Sequence, residues 1–332
     1  MKYSQLIIII AITIFANLTC LIAQNNSTDK GEAVSNTIPL TKFYIKPKYP
    51  PNVSFVYKRS SHTFVTQTLS DSTIVKYERI LDTYFSIYSP SNPIDGLTKL
   101  KVSIDSLDYT YIRGKDTTKY NSQDDDGIPP YQLSDFEYSS ITLGKEFFFY
   151  YSPYWDFGKI EGDRLTETRN YINDPLDGIQ DTMRLFMWNQ KLSDTYLANF
   201  VDILKNYIPM MPLDTSQVRR IAFSIEIDNK IFNDSADVQL KQSYDNAYIM
   251  EGKIDNLTSH NKKVRIMGFD ILVDVQKAVG KGHYTLTISP QGRVDGGEGN
   301  FEINMILKDR NEIINQKIEE KIKYFLISNH KV

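Results

Sequence analysis

One template occurs twice in this chain and narrows its fold more than any other feature. Residues 144–162 read GKEFFFYYSPYWDFGKIEG, and residues 280–296 read GKGHYTLTISPQGRVDG. Both begin Gly-Lys, run to Ser-Pro and, after a loop, close with Gly, a basic residue, a β-branched residue, an acid and Gly. The first copy supplies Gly144, Lys145, Ser152, Pro153, Gly158, Lys159, Ile160, Glu161 and Gly162. The second supplies Gly280, Lys281, Ser289, Pro290, Gly292, Arg293, Val294, Asp295 and Gly296. Each reads as a strand, a turn and the start of another strand. Two copies imply a duplicated β unit. Turn chemistry accounts for every template position: Gly permits positive φ, Pro ends a strand, and opposite charges sit side by side.

The rest of the chain fits that frame. Strand-like runs fall at Val53–Tyr57, Phe64–Leu69 and Thr73–Tyr88. Leu100, Val102 and Ile104 share one face, but Leu107, Tyr109 and Tyr111 resume one residue out of step. A one-residue slip sends side chains to the opposite face, so a bulge or tight turn is expected at Asp105-Ser106. Between residues 163 and 212 the spacing becomes helical, with Met183, Phe186 and Met187, then Leu197, Phe200, Val201 and Leu204. Asp174-Pro175 offers a start for the first of two helices, and Ser193-Asp194 a cap for the second. Ile221, Phe223, Ile225 and Ile227 then alternate with Ala222, Ser224, Glu226 and Asp228, the mark of a half-buried antiparallel strand. Residues 312–327 carry both a helical stripe and an alternation. The turn-like Lys308-Asp309-Arg310-Asn311 before them favours a closing strand.

The expected fold is therefore mainly β (α+β): a duplicated antiparallel curved sheet or half-barrel with an inserted helix pair. Its parts are a signal peptide at 1–23, a linker at 24–45, a first β unit at 46–162, a helical insertion at 163–212, a second β unit at 213–327 and a tail at 328–332.

The leader rests on Lys2, the apolar run Leu6–Phe15 and the small-residue cleavage point before Gln24. It implies export, to the periplasm or the outer membrane, with no transmembrane span left in the mature chain. Asn17-Leu18-Thr19-Cys20 resembles a lipoprotein cleavage box, but Thr19 stands where that box takes Gly, Ala or Ser, so a lipid anchor at Cys20 is the minor alternative. Cys20 is the sole cysteine, and its loss with the leader would exclude disulfides and thiolate chemistry. A net charge of −3 with scattered basic residues argues against nucleic acid.

Signs of catalysis are wanting in the sequence. His62, His260, His283 and His330 lack metal-ligand spacing, and there is no nucleophile elbow, Walker loop or dinucleotide fingerprint. Asp124-Asp125-Asp126-Gly127 fails as a calcium loop, since Ser122 and Leu133 stand where acids are required. The reading is a non-enzyme without metal or cofactor. Its most distinctive stretch is aromatic: Phe147, Phe149 and Tyr151 on one face of a strand, with Tyr154 and Trp155 on its turn. These five form the candidate ligand site, where an aromatic face would line a cleft for a lipid or other apolar ligand. The alternative is a structural or interaction component of the cell envelope whose partner is a protein.

Taken together, the two templates, the helical stretch ending in FVDILKNYIPMMP and the final alternating strands resemble a family of uncharacterised exported bacterial β-rich proteins. The likeness covers about residues 50–327. It departs at Val218–Phe223, which reads VRRIAF where that family often carries Gly-Asp-x-Trp. The resemblance implies export and a β fold, and no activity. The build is also similar to the half-barrel of lipoprotein carriers, a likeness of fold alone.

Overall fold

The computed structural model describes residues 49–332 except 93, 95–96, 125–138, 152–156, 202–212, 229, 242–246, 267–270 and 291. The leader, Cys20 and the linker thus lie outside the described residues, as does the acidic run Asp125–Asp126.

Alternation governs almost every element. The strands are β1 (Val53–Thr68), β2 (Ile74–Tyr88), β3 (Thr98–Arg113), β4 (Asp116–Asn121), β5 (Glu146–Tyr151), β6 (Phe157–Glu161), β7 (Val218–Ile227), β8 (Lys230–Lys241), β9 (Tyr248–Thr258), β10 (Lys263–Arg265), β11 (Leu272–Ile288), β12 (Val294–Asp309) and β13 (Glu312–Lys331). All pair antiparallel in one open sheet of order β6-β5-β3-β2-β1-β13-β12-β11-β9-β8-β7, with β4 added to β3 and β10 to β11. One face of this sheet is apolar. On β3 the buried side chains are Leu100, Val102 and Ile104, then Leu107, Tyr109 and Tyr111. The register between β2 and β3 shifts at Asp105, where Phe85 pairs Ile104 and Tyr84 pairs Ser106. The parity change in the sequence is therefore a β-bulge, and it keeps both halves of the strand facing the core.

Several elements differ from the sequence reading. The runs at Val53 and Phe64 are one strand of 16 residues. Its middle is polar even on the core side, where Ser61, Thr63 and Gln67 are buried. Hydrogen bonds make this tolerable: Ser61 Oγ donates to Glu320 Oε1, Arg79 Nη2 donates to Thr63 Oγ1 at 2.9 Å, and Gln67 Nε2 donates to Gln316 Oε1 at 2.7 Å. Residues 312–327 do form a strand, and it runs on to Lys331, so the expected tail is part of the sheet. The two β units share that sheet, joined where β1 meets β13.

Among the described residues the insertion holds three helices rather than two: α1 (Asp163–Ile172), α2 (Thr182–Lys191) and α3 (Asp194–Val201). Asp174 opens no helix. Its carboxylate accepts from the amides of Leu176 and Asp177 and makes a tight turn. Asp181 caps α2 by accepting from Arg184 N at 2.8 Å, and Ser193 Oγ accepts from Tyr196 N at 3.2 Å at the start of α3. Leu165, Ile172, Met187 and Leu197 face inward, but Phe186, expected in the same stripe, is 64% exposed. The helices touch both edges of the sheet. α1 contacts β5, α3 contacts β6, and Lys191 of α2 bonds Glu226 of β7 at 3.0 Å. Both open edges are thereby met by helical structure, which blunts them as templates for another chain.

The template copies differ in setting, and the turn of the first, residues 152–156, lies outside the described residues. Gly144 takes φ 65° ahead of β5, whereas Gly280 and Lys281 lie within β11. In the second copy Gly292, at φ 75°, donates its amide to the Ser289 carbonyl at 2.9 Å, and Arg293 pairs Asp295 at 2.8 Å, the local charge pair expected from the sequence.

Candidate functional site

Cross-strand register builds a groove on the polar face. Side chains at paired positions stand next to one another on the same face of a sheet. The pairings His62–Lys321, Lys321–Asn300, Asn300–His283, His283–Lys253 and Lys253–Asp237 align one row from β1 to β8. Beside it run Phe64–Glu319, Glu319–Glu302 and Glu302–Lys281. A third row links Thr285, Glu251, Gln239 and Val218. These rows line a cavity of about 1020 Å³, within the size range of small-molecule sites.

Glycines lie on the reverse of this floor. Gly252 and Gly282 line the groove. A Cβ on Gly252 would fall 2.1 Å from the Tyr284 ring, and one on Gly282 would fall 2.2 Å from Phe301. Both rings lie flat against the sheet because those positions carry no side chain. Phe223 of β7 then stacks on Tyr284 at 5.7 Å and on Phe301 at 6.1 Å. In the sheet three strands stand between β7 and β12, so ring contact between them shows that the sheet bends strongly about its core face.

The walls are charged at their tips and hydrocarbon along their length. Most of the wall surface is apolar, from Phe64, Val218 and the methylene stems of Lys253, Lys281 and Lys321. Lys253 pairs Asp255 at 2.9 Å, and Lys317 bridges Glu302 at 3.2 Å and Glu319 at 2.7 Å. The hydrogen bond from Lys317 holds the Glu302 carboxyl below the usual carboxylate range, with Lys281 adding to the effect. Neither Lys281 nor Lys321 makes an ion pair among the described residues. His62 Nε2 bonds Glu78 at 2.7 Å, and His283 Nε2 lies 3.4 Å from Asn300 Nδ2. Neither His is joined to a hydroxyl nucleophile among the described residues, and none of their His, Cys, Asp and Glu side chains cluster as a metal site. This arrangement can hold a ligand with an apolar body and polar edges.

The aromatic strand singled out by sequence lies elsewhere. Phe147 and Phe149 are 0% and 4% exposed and belong to the packed core. Phe148 and Tyr150 take the opposite face, beneath Lys99, whose Nζ sits 3.9 Å from the Phe148 ring centre. Tyr151 ends β5 opposite Thr98. Tyr154 and Trp155 fall outside the described residues. Sequence reasoning missed the groove because no single strand carries it. His283 lies on the solvent side of β11, and its neighbours come from register between strands far apart in the chain.

Fold and groove together define a one-sheet antiparallel β protein with a ligand-sized cleft on its polar face. No protein-family model matches the chain, and no curated protein matches it by sequence. Among solved structures it is similar to lipovitellin, described for its lipid–protein interactions, at TM-score 0.44 and 12% identity over 86% of this chain. It spans 26% of the lipovitellin chain. It also resembles neisserial surface protein A, at TM-score 0.19 and 8% identity over 82% of this chain and 97% of that one. A third likeness is to a LolA superfamily protein of Nitrosomonas europaea, at TM-score 0.13 and 10% identity over 82% and 87% of the two chains. These are distant likenesses and carry no argument about what the chain binds. No helix among the described residues is long and apolar enough to cross a membrane.

Proposed function

We propose that this chain is a non-enzymatic binding protein of the bacterial cell envelope that carries an amphiphilic, lipid-like ligand across the polar face of its sheet. The observation that supports this reading is the groove, with a largely hydrocarbon wall edged by Lys253, Lys281, Lys321, Glu251 and Glu302. An acyl chain would lie against Phe64, Val218 and the side-chain stems, while its head group meets the charged rim. Export, taken from the leader, puts such a protein where lipids pass between membranes.

The test is direct. Protein purified without detergent should release a lipid on organic extraction, identified by mass spectrometry, and should take up a fluorescent fatty acid. Thr285→Trp, on the solvent side of β11, fills the groove without touching the core and should abolish uptake while leaving the thermal midpoint unchanged. Absence of any extractable lipid together with no uptake by the wild type would overturn the reading. It would leave the structural or protein-interaction role, to which crosslinking to an envelope partner would then speak.

A further inference from the structure

Charges on the core face mark a second site, and its argument does not depend on the groove. Along β1 and β2 the core-side positions at mid-strand keep accessible surface at Arg59 and Leu81, although their core-side neighbours Tyr57, Ser61, Arg79 and Thr83 are buried. Ser61 pairs Leu81 and Arg59 pairs Thr83, which makes Arg59 and Leu81 diagonal neighbours on the core side. Arg59 Nε donates to Tyr324 Oη at 3.1 Å. Its Nη1 and Nη2 make no hydrogen bond or ion pair among the described residues. The fork of the guanidinium is thus left for an incoming acceptor on the core side.

The nearby carboxylates are engaged by other groups. Asp228 is divided between Arg79 and Lys230, and Lys191 takes Glu226. Glu320 is close enough to act on Arg59 electrostatically, but its Oε1 is held by Ser61 and it forms no ion pair with the guanidinium.

We propose that Arg59 is an oxyanion site, taking the carboxylate or phosphate group of a small ligand, with Leu81 against the first carbons of any chain attached to it. The planar fork of Nη1 and Nη2 suits bidentate contact with such a group. Tyr324 fixes the fork from one side, and Tyr196 of α3 stands close enough to act on it from the helical side.

Phenylglyoxal, which modifies accessible guanidinium groups, provides the test on the full chain, with peptide mapping by mass spectrometry. Inorganic phosphate and octanoate are the two probes, each at millimolar concentration. Labelling of Arg59 should fall about tenfold with at least one of them, as a charge-assisted bidentate contact requires, while exposed Arg220 and Arg310 react as before. Protection by phosphate assigns the site to a free anion, and protection by octanoate alone assigns it to a carboxylate with a chain. If neither protects Arg59, or if Arg59 fails to react at all, the proposal is wrong. Arg59→Lys keeps the charge and loses the fork, so the rise in thermal midpoint caused by the protecting anion should disappear. A rise that persists in this variant places the anion elsewhere and also overturns the proposal. Should Arg59→Lys not fold, the wild-type labelling decides. Thr285→Trp should leave protection of Arg59 intact, which separates failure here from failure of the groove.

Discussion

Replacing Asp228 by Asn tests how the interior charges are held. Asp228 lies in the β7–β8 turn at φ 49° and is 6% exposed. Its carboxylate accepts from Arg79 Nη1 at 3.3 Å and from Lys230 Nζ, and that same Nζ donates to the Asp228 carbonyl at 2.9 Å. Asn tolerates the left-handed backbone region as well as Asp does, and it has nearly the same volume. The substitution therefore removes charge and little else. Two cations, 8% and 1% exposed, lose the carboxylate they share. Breaking a buried pair by removing one partner costs about 3–5 kcal/mol. The Asn carbonyl can still accept one hydrogen bond, worth about 1 kcal/mol. The expected loss is thus about 2–4 kcal/mol, read from urea unfolding at constant m. Because the cluster is buried, the loss should persist at high salt. Adding Lys230→Met should restore part of it. A loss under about 1 kcal/mol, or one that vanishes with salt, would mean that these charges are solvated and the reasoning fails.

Two further outcomes are expected. Gly252→Ala should destabilise the protein by about 1–3 kcal/mol through overpacking, since its Cβ would meet a Tyr284 ring held between the sheet and Phe223; unfolding that matches wild type would show that the ring moves aside freely. Burial pushes the Tyr57 and Tyr284 hydroxyls well above the ordinary tyrosine range. For a raised folded-state pKa the stabilisation is complete below the unfolded value and is lost as pH rises through the folded one. An alkaline titration followed by phenolate absorbance should accordingly show a fraction of the tyrosines ionising only as the chain unfolds, and complete ionisation of a still-folded protein would contradict it.

Some of this architecture could be read from single strands. The parity change at Asp105 announced its bulge because a slip of one residue is visible in any alternating run. The closing strand was legible despite its helical stripe, because Gln316 and Glu320 continue the alternation on the core side. That same pair shows the limit. Polar residues on a core face look like interruptions until their partners are known, and for Gln316 and Glu320 the partners Gln67 and Ser61 stand more than two hundred residues earlier. For this reason β1 read as two short runs. The first helix was missed because Asp163–Ile172 buries little more than Leu165 and Ile172, too few positions to set up a clear period. The groove was invisible for a third reason: its rows exist only in the register of seven strands, while the aromatic run that drew attention instead contributes Phe147 and Phe149 to the core.

The meeting of β1 with β13 has a consequence for how the sheet is made. The strands pair from Val53–Lys331 to Thr68–Asn315, so each half of the sheet can be assembled from strands near in sequence, but among the described residues the two halves become one hydrogen-bonded sheet only along this long-range seam. Until they do, β1 and β13 are open edges, each long and each able to capture another strand. Contacts so distant in sequence form slowly. A chain cut within the helical segment should therefore give two fragments that find each other along that seam, and a chain delayed before it closes should pair with its own copies instead.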